Sequence, residues 1–232
     1  MTINGLQKLT LLDYPGKVAC TIFFAGCNFR CPFCHNASLV LAPAEAEQIS
    51  EETVLAFLKK RQGVLDGVCI TGGEPLLQPE LPAFIEKIRA LGYAVKLDTN
   101  GYFPARLQQL IDAGLVDYIA MDVKNAPEKY PQTVGISPFD LSPVLKSMEI
   151  LRTCGMPFEF RTTVVHGLHT AQDMAAIADW LEGTERYFLQ SFVDSGDVLM
   201  PGLSACTPAE MKEFLAIVQQ KVQNAELRGI SV

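Results

Sequence analysis

Short β-branched runs alternate along this chain with longer segments of helical period, and that alternation restricts the fold more than any other feature. Six runs stand out: Val18–Phe24, Val68–Thr71, Val95–Asp98, Tyr118–Asp122, Phe158–Val165 and Tyr187–Phe192. Most are almost wholly apolar, as strands covered on both faces should be. Helices are expected over Glu51–Arg61, Pro79–Leu91, Ala105–Ala113, Pro143–Thr153, Ala171–Leu181 and Ala209–Asn224. Ser50, Ser142, Thr170 and Thr207 fall at N-cap positions, Pro143 and Pro208 at first helical positions, and Gly92, Gly114, Gly155 and Gly183 just beyond helix ends. The class is α/β, with parallel strands and helices outside. Leu6–Leu12, ahead of the turn Tyr14-Pro15-Gly16-Lys17, is placed as a hairpin partner of the first strand.

A chain of 232 residues, 49% apolar and 19% charged, is long enough for one α/β barrel. A single domain over 1–232 is expected: an N-terminal extension at 1–16, a barrel core at 17–195, and a C-terminal loop and helix at 196–232. The formal charge of −7 offers no positive field for phosphates or anionic lipids, so nucleic acid and membrane are not expected partners. Val18–Cys27, the longest apolar stretch, is about half the ~20 residues that cross a bilayer. The opening MTINGLQKLTLLDYPG lacks the layout of an export signal, and a cytoplasmic location is expected. Two segments rich in Pro, Gly and Ser, Asn125–Asp140 and Ser195–Cys206, follow strands and are read as loops on the face where barrel enzymes place function.

Cys27, Cys31 and Cys34 crowd into the loop AGCNFRCPFCHN after the first strand. Three close thiolates suit three corners of a cubane iron–sulfur cluster and leave the fourth iron open to a ligand, whereas electron-transfer clusters normally take four cysteines. The competing readings are a zinc knuckle with His35 or a distant Cys as fourth ligand, although His35 adjoins Cys34 and chelation by both contorts the backbone, and three buried structural thiols, although Asn28, Arg30 and the two aromatics among them do not read as a packed strand. Cys20, Cys69, Cys154 and Cys206 stand apart and are read as structural thiols. His166 and His169 are read as loop or capping residues.

CxxxCxxC in the first βα loop followed by TGGEP at 71–75 resembles the radical S-adenosylmethionine (SAM) superfamily. The resemblance implies a partial (β/α)6 TIM-like barrel, one [4Fe–4S] cluster on Cys27, Cys31 and Cys34, and SAM bound to the open iron for reductive cleavage of its sulfonium C–S bond. Gly72, Gly73 and Glu74 would then contact SAM, because residues without Cβ let backbone carbonyls approach its ammonium group. The segments LTLLDYPGKVACTIFFAGCNFRCPFCHN at 9–36, LDTNG at 97–101, MDVK at 121–124 and FRTTVVHG at 160–167 resemble activases of glycyl radical enzymes. The opening most resembles activating proteins of anaerobic ribonucleoside-triphosphate reductase. That likeness implies a monovalent cation beside Asp98, Thr99 and Asp122, and places Lys124 and Arg161 against SAM's carboxylate or those aspartates. Ser191-Phe192 stands where the pyruvate formate-lyase activase has Tyr-His, so Phe192 is a stacking candidate and the His contact is lost.

The resemblance thus implies an enzyme that generates a glycyl radical on a partner protein, served by a flavodoxin- or ferredoxin-type electron donor. The alternatives are a radical SAM enzyme acting on a small molecule, of the 7-carboxy-7-deazaguanine synthase kind, and a non-catalytic iron–sulfur or zinc protein.

Overall fold

The computed structural model describes residues 1–41 and 48–229. Eight strands follow chain order in one sheet: β1 (Ile3–Thr10), β2 (Ala19–Phe24), β3 (Gly67–Gly72), β4 (Ala94–Thr99), β5 (Tyr118–Asp122), β6 (Phe158–Val164), β7 (Tyr187–Ser191) and β8 (Ala225–Arg228). The helices are α1 (Ala37–Leu41), α2 (Glu51–Lys60), α3 (Leu81–Ala90), α4 (Pro104–Asp112), α5 (Tyr130–Val134), α6 (Ser142–Thr153), α7 (Ala171–Trp180) and α8 (Pro208–Val218). β1 runs antiparallel to β2, and β2–β3, β3–β4, β6–β7 and β7–β8 pair in parallel. The six expected strands are β2 to β7, so the α/β class with a mostly parallel sheet holds.

The chain divides into two compact units. The first comprises Met1–Asn28, Ser38–Ala120 and Pro143–Pro157. Its core lies between β2 to β4 and the flanking helices, where Ile22, Phe24, Ile70, Leu97, Phe84 and Leu58 are all but inaccessible. Phe24 meets Phe84 edge to face, with ring centroids 6.2 Å apart. The turn after β1 forms as the sequence predicts: Lys17 N donates to the Tyr14 carbonyl at 3.2 Å, and Gly16 supplies the positive φ of 71°. β1 itself ends at Thr10 rather than Leu12. The Thr10 hydroxyl accepts from Leu12 N and Asp13 N and turns the chain out of the ladder, leaving Leu11 and Leu12 exposed.

The second unit comprises Phe29–Ala37, Met121–Ser142 and Phe158–Val232. Tyr187, Phe160, Leu189 and Val164 of β6 and β7 fill its centre. Asn125–Asp140, expected as an open loop, packs as a plug instead. It forms a 3-10 turn at Pro127–Lys129 and then α5, and Tyr130 stacks on Phe139 at 5.5 Å while meeting Trp180 edge-on. The apolar residues Tyr130, Val134 and Phe139 hold it there; the Pro and Gly content that suggested a loop serves the turns around them.

Side-chain capping accounts for the starts of α2, α7 and α8. Ser50 caps α2, and Thr170 and Thr207 form capping boxes with Asp173 and Glu210. Ser142 does not sit outside its helix as expected: it is the first residue of α6, and the Asp140 carboxylate accepts from its backbone N and hydroxyl, which moves Pro143 to the second position. α3 starts at Leu81 rather than Pro79, with Pro82 near its N-terminus. α8 stops at Val218 and the chain returns as β8, a strand the sequence did not reveal; residues 230–232 of the expected C-terminal segment lie outside the described residues. No helix among the described residues is long and apolar enough to cross a membrane.

Candidate active site

In the first unit, the TGGEP turn leaves the end of β3 pressed against the backbone that leads to Cys27. A Cβ on Gly73 would lie 1.9 Å from the Gly26 carbonyl oxygen, and one on Gly72, whose φ is +121°, 2.3 Å from Phe24 backbone atoms. Gly73 N donates to the Phe24 carbonyl and Glu74 N to that of Gly26, both at 2.8 Å. The two glycines therefore permit close contact between two stretches of protein backbone.

Glu74 is completely buried. Its Oε1 accepts from Leu76 N at 3.0 Å and from the Thr99 hydroxyl at 2.9 Å, and its Oε2 accepts from Asn100 N at 2.7 Å. The carboxylate fastens the turn after β3 to the end of β4. Thr99 in turn accepts from Gly101 N, so its hydroxyl serves the same clamp.

Asn100, a member of the LDTNG segment to which the sequence reading gave no role, donates from Nδ2 to Asn28 Oδ1 at 2.8 Å and lies 3.8 Å from the Cys27 sulfur. Asp98 pairs with Lys96, two residues earlier on the same strand face, and the Lys96 side chain is 1% exposed. A buried lysine needs such a partner. Lys96 was missed because one charge inside an apolar strand is no signal by itself.

In the second unit, Cys31 is buried and Cys34 half-buried, and Cys34 N closes a turn on the Cys31 carbonyl at 3.0 Å. The plug and the 195–206 segment grip this loop. Arg30 N donates to the Val134 carbonyl at 2.8 Å, Met200 N to Pro32 at 2.9 Å and Ala37 N to Asp197 at 3.3 Å. Gly135, at φ +67°, ends α5 where a Cβ would come within 2.3 Å of the Arg30 carbonyl oxygen. His35 stacks on Phe192, centroids 5.3 Å apart and planes 19° from parallel, and burial foremost lowers its pKa. Phe192, the stacking candidate, is 1% exposed and has this partner.

Asp122, Lys124 and Arg161 form a charge triad in the second unit. Lys124 Nζ donates to Asp122 Oδ2 at 2.9 Å, while Arg161 Nε and Nη2 reach Oδ1 at 3.0 and 2.9 Å. Burial alone would raise the Asp122 pKa; the two cations outweigh it and hold the carboxyl down at about 2. Burial would lower the Lys124 pKa, and Asp122 followed by Cys31 overrides it and raises it. The expected pairing of Lys124 and Arg161 with an aspartate is thus found at Asp122. Behind the triad, His169 is buried rather than on the surface: Nδ1 accepts from Val165 N at 3.1 Å and Nε2 meets the Lys124 carbonyl at 2.9 Å.

The sequence pattern that defines the radical SAM superfamily matches residues 21–181. The chain belongs to that superfamily. Within the radical SAM superfamily it is 30% identical over 99% of its length to a Methanocaldococcus jannaschii protein, 96% of which is covered, named provisionally as a glycyl-radical enzyme activating enzyme. It is also 35% identical over 51% of its length to a 7-carboxy-7-deazaguanine synthase of Hyperthermus butylicus, 48% of which is covered. Among solved structures, Streptococcus suis SuiB bound to its precursor peptide shares the fold, with a TM-score of 0.70 at 13% identity over 89% of this chain and 47% of that one. The α/β architecture is thus the partial TIM-like barrel of radical SAM enzymes, and the chain is an enzyme of that kind.

Membership implies a [4Fe–4S] cluster with SAM, and the donor set fits. Cys27, Cys31 and Cys34 are not engaged in disulfides. Asn100 offers an amide N–H toward Cys27, and the Lys124 ammonium places a positive charge near Cys31. Both features favour thiolates bound to an anionic cluster.

Proposed function

We propose that this radical SAM enzyme is a glycyl radical enzyme activase whose substrate is a glycine in a partner protein. The observation that carries the reading is the likeness to the M. jannaschii protein over 99% of this chain and 96% of that one. The finer assignment, activation of an anaerobic ribonucleoside-triphosphate reductase, rests on the opening segment at 9–36. An electron donor of flavodoxin or ferredoxin type, a cytoplasmic setting and one catalytic domain over 1–232 belong to the same proposal.

In this reading Cys27, Cys31 and Cys34 hold the cluster. With SAM bound, the pair supplies one-electron cleavage of a sulfonium C–S bond. The protein's own residues orient and shield. Gly72 and Gly73 bring the TGGEP backbone up to the root of the cysteine loop, and Glu74 fixes that backbone so that its carbonyls present a constant face to SAM. Arg161 and Lys124, held by Asp122, carry one net positive charge for SAM's carboxylate. Asp98, Thr99 and Asp122 are the proposed surroundings of a monovalent cation. Lys96 already gives Asp98 a positive neighbour, and Lys124 and Arg161 give Asp122 two. SAM cleavage that rises with added potassium or sodium supports the cation; a flat response assigns that charge to the protein's own side chains.

The second reading, a radical SAM enzyme acting on a small molecule, is favoured by the likeness to the H. butylicus synthase over half the chain. Electron paramagnetic resonance separates the two. The reduced holoenzyme, mixed with SAM and an anaerobic ribonucleotide reductase, is expected to produce a glycine-centred doublet on the reductase. No doublet there, with SAM still cleaved, removes the finer assignment; none with any glycyl radical enzyme gives precedence to the small-molecule reading.

A further inference from the structure

We propose that His166, Cys206 and Glu210 form a second metal site, one that takes a zinc-class divalent cation through one nitrogen, one sulfur and one oxygen. The three side chains offer ligand atoms that all lie within 4.8 Å of one another. His166 Nδ1 and Glu210 Oε1 are 3.2 Å apart. A tetrahedral zinc ion with bonds of about 2.0–2.3 Å has ligand–ligand edges of roughly 3.3–3.8 Å, so the nitrogen–oxygen edge is close to that length already.

The backbone keeps the three residues together. Val165 and Ala205 form an antiparallel bridge, and His166 N donates to the Ser204 carbonyl at 3.0 Å, so His166 lies beside Ser204 and Cys206 follows two residues later on the same face of the pairing. Glu210 is fixed by the capping box of α8: its Oε2 accepts from Thr207 N and the Thr207 hydroxyl, both at 2.7 Å, while Oε1 turns to His166. Such outer hydrogen bonds are what orient a ligating carboxylate. Cys206 is buried and His166 exposed, so the sulfur is shielded while the imidazole is open to solvent. Burial first, and the Glu210 charge second, push the Cys206 thiol up to about 11. The free thiol therefore keeps its proton, and a bound cation displaces that proton to solvent. With a single thiol in the group, an iron–sulfur cluster is not the occupant. The site ties the end of β6 to the start of α8 and does not depend on what the enzyme activates.

The test uses the holoenzyme with its iron–sulfur cluster in place, titrated with zinc alone against a chelating indicator and with cobalt(II) as a spectroscopic probe. One equivalent of zinc is expected, and cobalt should give a thiolate charge-transfer band. His166→Ala should weaken zinc binding at least tenfold and Cys206→Ser should abolish the cobalt band, both with iron content unchanged. A folded Cys27→Ala/Cys31→Ala/Cys34→Ala chain, which has lost the proposed cluster ligands, should still bind the zinc. Absence of tight zinc in the wild-type enzyme, binding undiminished by His166→Ala, or loss of zinc in the folded triple variant overturns the proposal. Because His166 is exposed, its variant decides the matter even if Cys206→Ser fails to fold.

Discussion

Gly73 shows how little room a single residue has beside the cysteine loop. Its φ is not positive, so the constraint is purely steric: an added methyl would meet a carbonyl oxygen at 1.9 Å. Gly73→Ala is expected to displace the Gly26–Cys27 backbone and to cut iron incorporation several-fold, read as iron per chain after anaerobic reconstitution. Glu74→Gln replaces one acceptor oxygen with an NH2 that faces N–H or O–H donors, so it should cost about 1.5–3 kcal/mol in chemical denaturation. Stability within 0.5 kcal/mol of wild type (about the scatter of a surface substitution) would deny the clamp. The sequence marked Gly72, Gly73 and Glu74 by motif but not their physical task, because backbone packing against Phe24 and Gly26 leaves no trace in local pattern. Asn100 and Lys96 carry no local signal for a related reason: Asn100 acquires meaning only from Asn28 and Cys27 in the distant cysteine loop, and Lys96 only from Asp98 two residues along the same face.

Strands β2 to β7 were legible because nearly continuous apolar runs of that length fit strands buried on both faces. β8 was not. Its four residues, Ala-Glu-Leu-Arg, include two charges, and Met211, Phe214, Val218, Val222 and Ala225 prolong a helical period across the turn where α8 really stops. Beyond its parallel pairing with β7, β8 is held by Arg228, whose two Nη atoms meet both oxygens of Glu159 at 2.7 and 3.0 Å while its guanidinium lies 3.3 Å over Phe188. The Glu159 side chain has no exposure. Arg228→Ala removes both of these hydrogen bonds to a buried carboxylate and should destabilise by about 1.5–3 kcal/mol, with amide exchange rising first in β8. The His169 link between β6 and Lys124 carries a pH signature. Burial foremost holds the imidazole pKa below its ordinary value of 6.5. The unfolded chain therefore binds a proton that the folded chain refuses, and this part of the stability is complete above pH 6.5 and lost on acidification below it. His169→Gln keeps an acceptor and a donor and should flatten the stability slope between about pH 5 and 7; an unchanged slope would place the titration elsewhere.

At the scale of the whole molecule, the cysteine spacing and the TGGEP, LDTNG and MDVK segments carried the superfamily in the sequence itself. The two compact units divide that chemistry: Cys27 and the glutamate clamp belong to one, Cys31, Cys34 and the Asp122 triad to the other. The proposed protein substrate has no comparable signature in the sequence, because docking depends on surface shape that no short motif encodes. The most direct test is anaerobic: the reconstituted chain is reduced with dithionite in the presence of SAM, and 5′-deoxyadenosine is measured for wild type and for Cys27→Ala, Cys31→Ala and Cys34→Ala. The account predicts release by the wild type and none by any of the three variants. Release by even one variant, or a wild-type chain that carries four irons and leaves SAM intact, would contradict it.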